Sequence, residues 1–145
     1  MLSIIDHINI VVSDLSKTQS FFEKIGFSVA DSARLEGEWI SRIVGIDNAV
    51  AEYVSLSLPN NPTRVELIQY LSPKSGKDES MTKPNQLGFR HIAFRVDCID
   101  TEVKKLLSQG IKLVGSIQAY PKTGKKLVYF FGPDDILLEY AQYPD

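Results

Sequence analysis

Apolar and polar residues alternate in the segment 5–12 near the start of the chain. Ile8, Ile10 and Val12 fall on one face of an extended segment, and His7 falls on the opposite face. A period of two residues is typical of a strand that is buried on one side only. The pattern therefore predicts a half-buried strand that presents a histidine away from its apolar face.

The next segment changes to the period of a helix. Ser16 is a suitable N-cap, an apolar stripe that includes Phe22 follows it, and Gly26 is a suitable left-handed stop. These features predict a short helix over about residues 17–25. The first unit of the chain is therefore a strand followed by a helix.

The same plan recurs past the middle of the chain. His91, the only other histidine, opens a second alternating segment at an offset of 91 − 7 = 84 from His7. Asp100 is then the expected N-cap of a second helix and Gly110 its stop. Such self-similarity at a fixed offset indicates an internal repeat.

A second alignment relates the ends of the two halves. Residues 64–70 superpose on residues 137–143, with Glu66 on Glu139 at an offset of 139 − 66 = 73, and a Gln and a Tyr follow each Glu at equal spacing. Each half then contains further strand-like runs. The predicted runs are 27–30, 50–58 and 64–70 in the first half, and 111–114, 126–131 and 136–143 in the second.

These elements predict one α+β domain over residues 1–145, built from tandem βαβββ modules that form an open, cup-shaped mixed β-sheet. The first module covers about residues 1–72 and the second about 89–145, with a polar linker at about 73–88. The segment between Asp31 and Asp47 is an insertion in the first module, and its spacing predicts a short helix or lid.

The repeat gives each half one histidine and one glutamate. A lone strand histidine is usually a structural residue, and a lone strand glutamate is usually a solvated charge. Four such residues at equivalent positions of a repeat instead predict one shared set of ligands: His7, Glu66, His91 and Glu139. Two imidazoles and two carboxylates suit one divalent ion per site, namely Ni, Co, Zn, Mn or Fe, with positions left for water or substrate oxygens.

Composition excludes several other classes of function. The 145 residues carry a net charge of −2 with acidic and basic residues well mixed, so neither nucleic acid nor membrane is an expected partner. The single cysteine, Cys98, cannot form an intrachain disulfide and fits a reducing compartment. No apolar run has the length of a membrane span and no signal peptide is visible, so a cytoplasmic location is expected.

The paired modules resemble the vicinal oxygen chelate superfamily, which includes glyoxalase I, methylmalonyl-CoA epimerase, extradiol dioxygenases and antibiotic resistance proteins. The resemblance covers essentially the whole chain and rests on three segments: Asp6–Ile8, Gly88–Phe94 and Phe131–Glu139. It implies a glyoxalase-like fold. The ligand order His, Glu, His, Glu looks like that of glyoxalase I, which makes a metal-dependent lyase or isomerase of the lactoylglutathione lyase type our first hypothesis.

In that family the metal binds two vicinal oxygens of a small-molecule substrate, and a carboxylate moves a proton between adjacent carbons. The resemblance therefore implies that Glu66 and Glu139 are both ligands and catalytic residues, without indicating which one is the base. Family modules pair either within a chain or across two subunits, and we expect a homodimer with two sites because pairing covers the edge strands that such half-barrels leave open. The alternatives are a methylmalonyl-CoA epimerase-like enzyme, a drug-binding resistance-type module and an extradiol-type dioxygenase.

Substrate recognition is where the chain departs from the family. Glutathione-binding members often have Arg four residues after the first His and Asn four residues after the first Glu, and Val11 and Tyr70 stand there instead. Arg95 occupies the twin position in the second half and suits a carboxylate or phosphate, although a surface ion pair is an equal alternative. Arg95 and Tyr70 are therefore candidate substrate contacts. For Trp39, Tyr129 and Tyr143 the alternatives are the pocket mouth and the core, and we favour the core because strand aromatics are more often buried.

Overall fold

The computed structural model describes residues 1–144, which divide into two compact units, one of residues 1–77 and one that begins at Asp78. The first unit contains β1 (His7–Val11), α1 (Leu15–Lys24), β2 (Ser28–Leu35), α2 (Glu38–Val44), β3 (Val50–Ser57) and β4 (Arg64–Ser72). The second contains β5 (His91–Arg95), α3 (Ile99–Ser108), β6 (Gln118–Ala119), β7 (Lys126–Phe131) and β8 (Leu137–Gln142), with 3₁₀ turns at Glu79–Thr82 and Pro133–Asp135.

Each unit forms one mixed sheet of four strands. The strand orders are β1-β4-β3-β2 and β5-β8-β7-β6, so the two sheets have the same topology. In each sheet the first and last strands of the unit pair in parallel, and the other pairs are antiparallel. The predicted α+β class and the tandem βαβββ, glyoxalase-like plan are confirmed, and α2 is the short helix expected within residues 31–47.

The apolar core of each unit lies between its sheet and its long helix. Phe22 of α1 and Leu67 of β4 are fully buried, and the rings of Phe22 and Phe27 meet edge to face at a centroid separation of 5.3 Å. In the second unit, Leu106 of α3 and Leu138 of β8 are buried in the same way. The alternation along each strand therefore directs one face to the helix and leaves the other face for polar residues.

Both predicted N-caps are wrong by two residues. Asp14, rather than Ser16, caps α1, and its carboxylate accepts a hydrogen bond from the amide of Lys17 at 2.9 Å. Cys98, rather than Asp100, is the N-cap residue of α3, and its side chain makes no capping bond. In α1 the local cap Asp14 sets the start, whereas α3 has no such side-chain cap; in both modules a glutamine from the last strand also accepts a hydrogen bond from the first helical amide.

These two glutamines follow the candidate ligands by three residues. Oε1 of Gln69 accepts a hydrogen bond from the amide of Leu15, and Oε1 of Gln142 accepts one from the amide of Ile99, both at 2.8 Å. Each first helical amide thus has a partner that the local sequence does not contain. This explains why a Gln stands at the same place in both repeats.

Two further strand predictions are wrong in extent. The run 27–30 extends to Leu35 as β2, well into the segment interpreted as an insertion. The run 111–114 forms only an isolated bridge, Leu113 with Phe130, and the regular pairing with β7 is made instead by β6. Gly115 and Ser116 lie between these two places, and both residue types are poor strand formers.

The longest helices of residues 1–144 are α1 and α3, with ten residues each. Within that range no helix combines the length and the apolar character that a membrane crossing requires.

Candidate metal centre

The first module brings His7 and Glu66 together on one face of its sheet. His7 pairs in parallel with Arg64, so Glu66 lies two residues further along the neighbouring strand with its side chain on the same face. Nε2 of His7 lies 3.4 Å from Oε2 of Glu66. On the other side of the ring, Nδ1 lies 2.8 Å from Oδ2 of Asp6. We call His7 and Glu66 the first His–Glu pair.

Asp6 fixes how the His7 ring can act. A carboxylate that accepts a hydrogen bond from Nδ1–H favours the tautomer whose Nε2 carries the free lone pair. That lone pair then points towards Glu66. This arrangement of carboxylate, imidazole and open nitrogen is typical of metal-ligating histidines in proteins.

The second module repeats the arrangement with a tighter contact. Nε2 of His91 lies 3.0 Å from Oε2 of Glu139, and only 8% of the Glu139 side chain is exposed. The ring of Tyr129 lies 4.8 Å from that of His91, and its side chain hydrogen-bonds Glu139. Burial, and next the charge of Glu139, raise the pKa of Tyr129, which keeps its hydroxyl a donor. We call His91 and Glu139 the second His–Glu pair.

The geometry of both pairs fits a divalent ion. Two donors that each lie about 2.1 Å from one ion are about 3.0 Å apart across a right angle and about 3.4 Å apart across a tetrahedral angle. The observed separations of 3.0 and 3.4 Å span that range. A buried carboxylate also needs a compensating charge, which a metal ion provides.

The structure brings the four predicted ligands together as two pairs, one in each unit. No cluster of three or more potential ligands occurs within residues 1–144. Each module therefore supplies a half-site of one imidazole and one carboxylate. The prediction that all four residues bind one ion stays a prediction.

The two glutamates differ in their surroundings. Tyr129 is the cross-strand neighbour of Glu139, and Ser55 is the cross-strand neighbour of Glu66. Ser55 is 1% exposed, and its hydroxyl oxygen has no hydrogen-bond partner within residues 1–144. Glu66 itself is more open than Glu139, with a quarter of its side chain exposed. Glu139 is thus held by a hydroxyl group that Glu66 lacks.

The candidate substrate residues lie on the same faces as the ligands. Tyr70 is half-buried on β4. It lies two residues after Ile68 and four after Glu66, so the three side chains share one face of the strand. Arg95 lies at the end of β5, and its guanidinium carbon lies 5.3 Å from the centre of the Tyr143 ring. Nζ of Lys125 lies 4.6 Å from that centre, and hydrogen bonding to Tyr143 raises the pKa of Lys125.

The interpretation of three aromatic residues as core residues is wrong. Trp39 is 55% exposed, Tyr143 is 48% exposed and stacks with cations, and Tyr129 contacts the second His–Glu pair. The ligand-orienting role of Asp6 was also missed, although a carboxylate directly before a strand histidine was visible in the sequence. Tyr129 and Glu139 lie on the two strands of one hairpin, so their contact could have been predicted only if the register of that hairpin had been known.

Comparisons with known proteins agree with the fold. Residues 4–140 match the model of the Glyoxalase/Bleomycin resistance protein/Dioxygenase superfamily. The chain is similar to the uncharacterized protein YwkD of Bacillus subtilis, with 33% identity over 96% of each chain. It is also similar to the uncharacterized protein YaeR of Escherichia coli, with 27% identity over 93% of this chain and 92% of YaeR.

Among solved structures, a glyoxalase family protein from Bacillus cereus matches at 34% identity with a TM-score of 0.91, covering 100% of this chain and 97% of that one. The match extends over both βαβββ modules. Since the family model and these relatives each span nearly the whole chain, the chain belongs to the Glyoxalase/Bleomycin resistance protein/Dioxygenase superfamily.

Proposed function

We propose that this protein is a divalent-metal-dependent lyase or isomerase of the glyoxalase I type. The observation that carries the proposal is the recurrence of the same His–Glu pair in both modules, at ligand-to-ligand separations of 3.4 and 3.0 Å. Two nitrogens and two carboxylate oxygens suit a Lewis-acidic ion that keeps open positions for substrate. His7, Glu66, His91 and Glu139 are the proposed ligands.

When bound, the ion supplies positive charge that polarises two vicinal oxygens of the substrate and acidifies the neighbouring C–H bond. The residues of the chain then have separate tasks. The imidazoles hold their Nε2 atoms towards the ion, with Asp6 orienting His7. A carboxylate within reach of the substrate carbon accepts the proton and returns it to the adjacent carbon.

We assign the proton-transfer role to Glu66. Glu139 is almost fully buried, lies 3.0 Å from its histidine and accepts a hydrogen bond from Tyr129, so its carboxylate is restrained. Glu66 is more exposed and lies 3.4 Å from its histidine, and within residues 1–144 its cross-strand neighbour Ser55 donates no hydrogen bond to it. A carboxylate that exchanges a proton has to change its contacts during the reaction, and Glu66 is the freer of the two.

The proposal requires that two half-sites meet around one ion. This requirement is met either by the two modules of one chain or by modules of two chains in a homodimer. We propose the homodimer with two sites, because pairing also protects edge strands that an isolated sheet leaves open.

The proposal is tested first by metal content and then by turnover. The purified protein, loaded separately with Ni, Co, Zn and Mn, is expected to retain about one ion per chain after desalting, by elemental analysis. Retention below about 0.1 ion per chain, with each metal, would contradict the metal site and favour a binding module of the drug-resistance kind.

Turnover separates the two enzyme hypotheses. Conversion of a hemithioacetal supports the glyoxalase I type, whereas exchange of the α-proton of a methylmalonyl thioester with solvent supports an epimerase. The epimerase is the second candidate because Val11 and Tyr70 replace the residues that glutathione-binding relatives use. A metal-loaded protein that turns over neither substrate would overturn both activities.

Two matched variants test the assignment of the base. Glu66→Gln is expected to abolish proton exchange while an amide oxygen can still approach the metal, so that much of the metal is retained. Glu139→Gln is expected to lower metal content more strongly, because it also removes the charge that Tyr129 stabilises. The reverse pattern would transfer the catalytic role to Glu139.

A further inference from the structure

Two cationic side chains flank one aromatic ring in the second module. The guanidinium of Arg95 and the ammonium of Lys125 lie 5.3 and 4.6 Å from the centre of the Tyr143 ring. We call Arg95, Lys125 and Tyr143 the basic row. Cation–π contacts of this kind hold charged side chains in place without neutralising their charge.

The basic row lies on the same face of the sheet as the second His–Glu pair. Arg95 pairs with Ala141, whereas Glu139 pairs with Ala93, so Arg95 lies one step of two residues further along the sheet. Tyr143 follows β8 directly, four residues after Glu139. With a rise of about 3.3 Å per residue, the row begins about 7 Å and ends about 13 Å from the level of Glu139.

Both cations of the row are without an ion-pair contact among residues 1–144, although the charge of Glu139 acts on Lys125 from a longer distance. Neither Arg95 nor Lys125 forms an ion pair with a carboxylate within residues 1–144, although Lys126 pairs with Asp100 at 3.2 Å. Lys126 faces the helix side of the sheet and its neighbour Lys125 the ligand side. The two cations of the basic row thus lie on the face that carries the second His–Glu pair, whereas Lys126 and its partner Asp100 lie on the helix side.

The first module has no such row. The positions equivalent to Arg95, Tyr143 and Lys125 hold Val11, Tyr70 and Ala51. Both modules have the tyrosine and a His–Glu pair, but only the second module has the two cations. A structural role shared by both sheets would not explain this one-sided charge.

We propose that the basic row binds an anionic group, a carboxylate or a phosphoryl group, at the far end of the substrate. This inference rests on the proposed function, in which the vicinal oxygens of the same substrate reach the metal. It narrows the substrate class to compounds with a vicinal oxygen pair and an anion several bonds away. Arg95 supplies planar donors suited to either oxyanion, and Lys125 adds a second charge.

The first experiment uses metal-free protein, so that it does not depend on the proposed function. Glutarate and inorganic phosphate are titrated into protein with isotope-labelled tyrosine rings, and the Tyr143 resonances are followed by NMR, assigned with Tyr143→Phe. We expect saturable shifts, weakened about tenfold by Arg95→Gln or Lys125→Gln. Lys126→Gln, which removes the same charge on the opposite face, is expected to change the affinity less than twofold.

Equal affinities in the wild type and in Arg95→Gln would overturn the proposal, as would a loss in Lys126→Gln equal to that in Lys125→Gln. The relative affinities for glutarate and phosphate identify the preferred anion. If phosphate binds more tightly, the far group is phosphoryl, and if glutarate does, it is a carboxylate.

The second experiment links the row to the metal. Mn-loaded protein is titrated calorimetrically with 2-hydroxyglutarate, 3-phosphoglycerate and 2-hydroxybutyrate, which share a chelating hydroxy acid but differ in the second anion. One of the two compounds with a second anionic group is expected to bind about tenfold more tightly than 2-hydroxybutyrate, and Arg95→Gln is expected to abolish the difference. Equal binding of all three would overturn the proposal, whereas failure to load metal would overturn only the proposed function.

Discussion

Removal of the acceptor at Gln142 is expected to destabilise the fold without touching the ligands. Oε1 of Gln142 accepts a hydrogen bond from the first amide of α3, that of Ile99, at 2.8 Å. The amide is partly buried and Cys98 provides no side-chain cap, so within residues 1–144 nothing else in the cap replaces the lost acceptor. Gln142→Met keeps the size of the side chain and removes only its hydrogen-bonding groups.

The cost follows from the partial burial of that amide, which loses its acceptor. An N–H group left without a partner in a partly buried site costs about 1–3 kcal/mol, and we take about 2 kcal/mol. The entropy of unfolding is about 2.1 cal/mol/K per residue, or about 0.3 kcal/mol/K for a chain of 145 residues. Gln142→Met should therefore lower Tm by about 7 °C.

The assay is thermal unfolding followed by circular dichroism, with a chelator present because bound metal would add stability of its own. Gln142→Glu retains an acceptor and places a negative charge at a helix N-terminus, so it should keep the Tm of the parent within about 2 °C. Gln86→Met changes an exposed glutamine and serves as the control. If Gln142→Glu unfolds as early as Gln142→Met, or if neither moves Tm, the capping argument is wrong.

Three further predictions follow from other parts of the structure. Burial raises the pKa of Tyr140 to about 12. The neutral phenol therefore contributes its full stability below pH 10, and about 2–3 kcal/mol of that stability is lost as the pH rises towards 12. Tyr140→Phe should reduce this alkaline loss in urea titrations, and an unchanged dependence of stability on pH would contradict the prediction. Asp6→Asn should weaken metal binding about tenfold in competition with a chelator, because it removes the acceptor that orients His7, and an unchanged affinity would exclude that role. Co-refolding equal amounts of His7→Ala and His91→Ala chains should restore about a quarter of the metal capacity if sites are shared between subunits, because half of the dimers are then heterodimers and each has one intact site of two; no recovery would assign each site to one chain.

The repeat was readable from the sequence because alternation and ligand spacing are local properties. Each histidine stands opposite an apolar stripe, and each glutamate precedes a glutamine by three residues, so the βαβββ plan and the two pairs follow from pattern alone. The structure confirms the fold class and places each glutamate beside the histidine of its own module.

Distant residues contribute to both misplaced helix starts, although in α1 the local cap Asp14 was also available in the sequence. Ser16 and Asp100 are good N-caps by type, but Gln69 lies 54 residues from the amide it binds and Gln142 lies 43 residues from its own. A rule based on neighbouring residues cannot include a hydrogen-bond partner that lies on a distant strand. The same reason explains β6, since two residues carry no period and are strand only because β7 pairs with them.

The surroundings of the ligands were hidden for a related reason. The contact of Tyr129 with Glu139 depends on the register of a hairpin, and a shift by one residue would turn the ring to the other face. The stacking of Arg95 and Lys125 on Tyr143 likewise depends on how the ends of β5, β7 and β8 lie next to one another. Residue types were therefore predictable, whereas the partners of those residues required the folded sheet.

Because a glutamine follows each glutamate by three residues, the register of β4 and of β8 determines two contacts at the same time. An odd interval places Glu66 on the open face and Gln69 on the helix face of the same strand. A slip of one residue would push the carboxylate under the helix and withdraw the acceptor from Leu15 in the same movement. A strand in the wrong register would therefore be destabilised twice, by a buried charge and by an amide without an acceptor. Only the register that forms the His–Glu pair also satisfies the first amide of the helix.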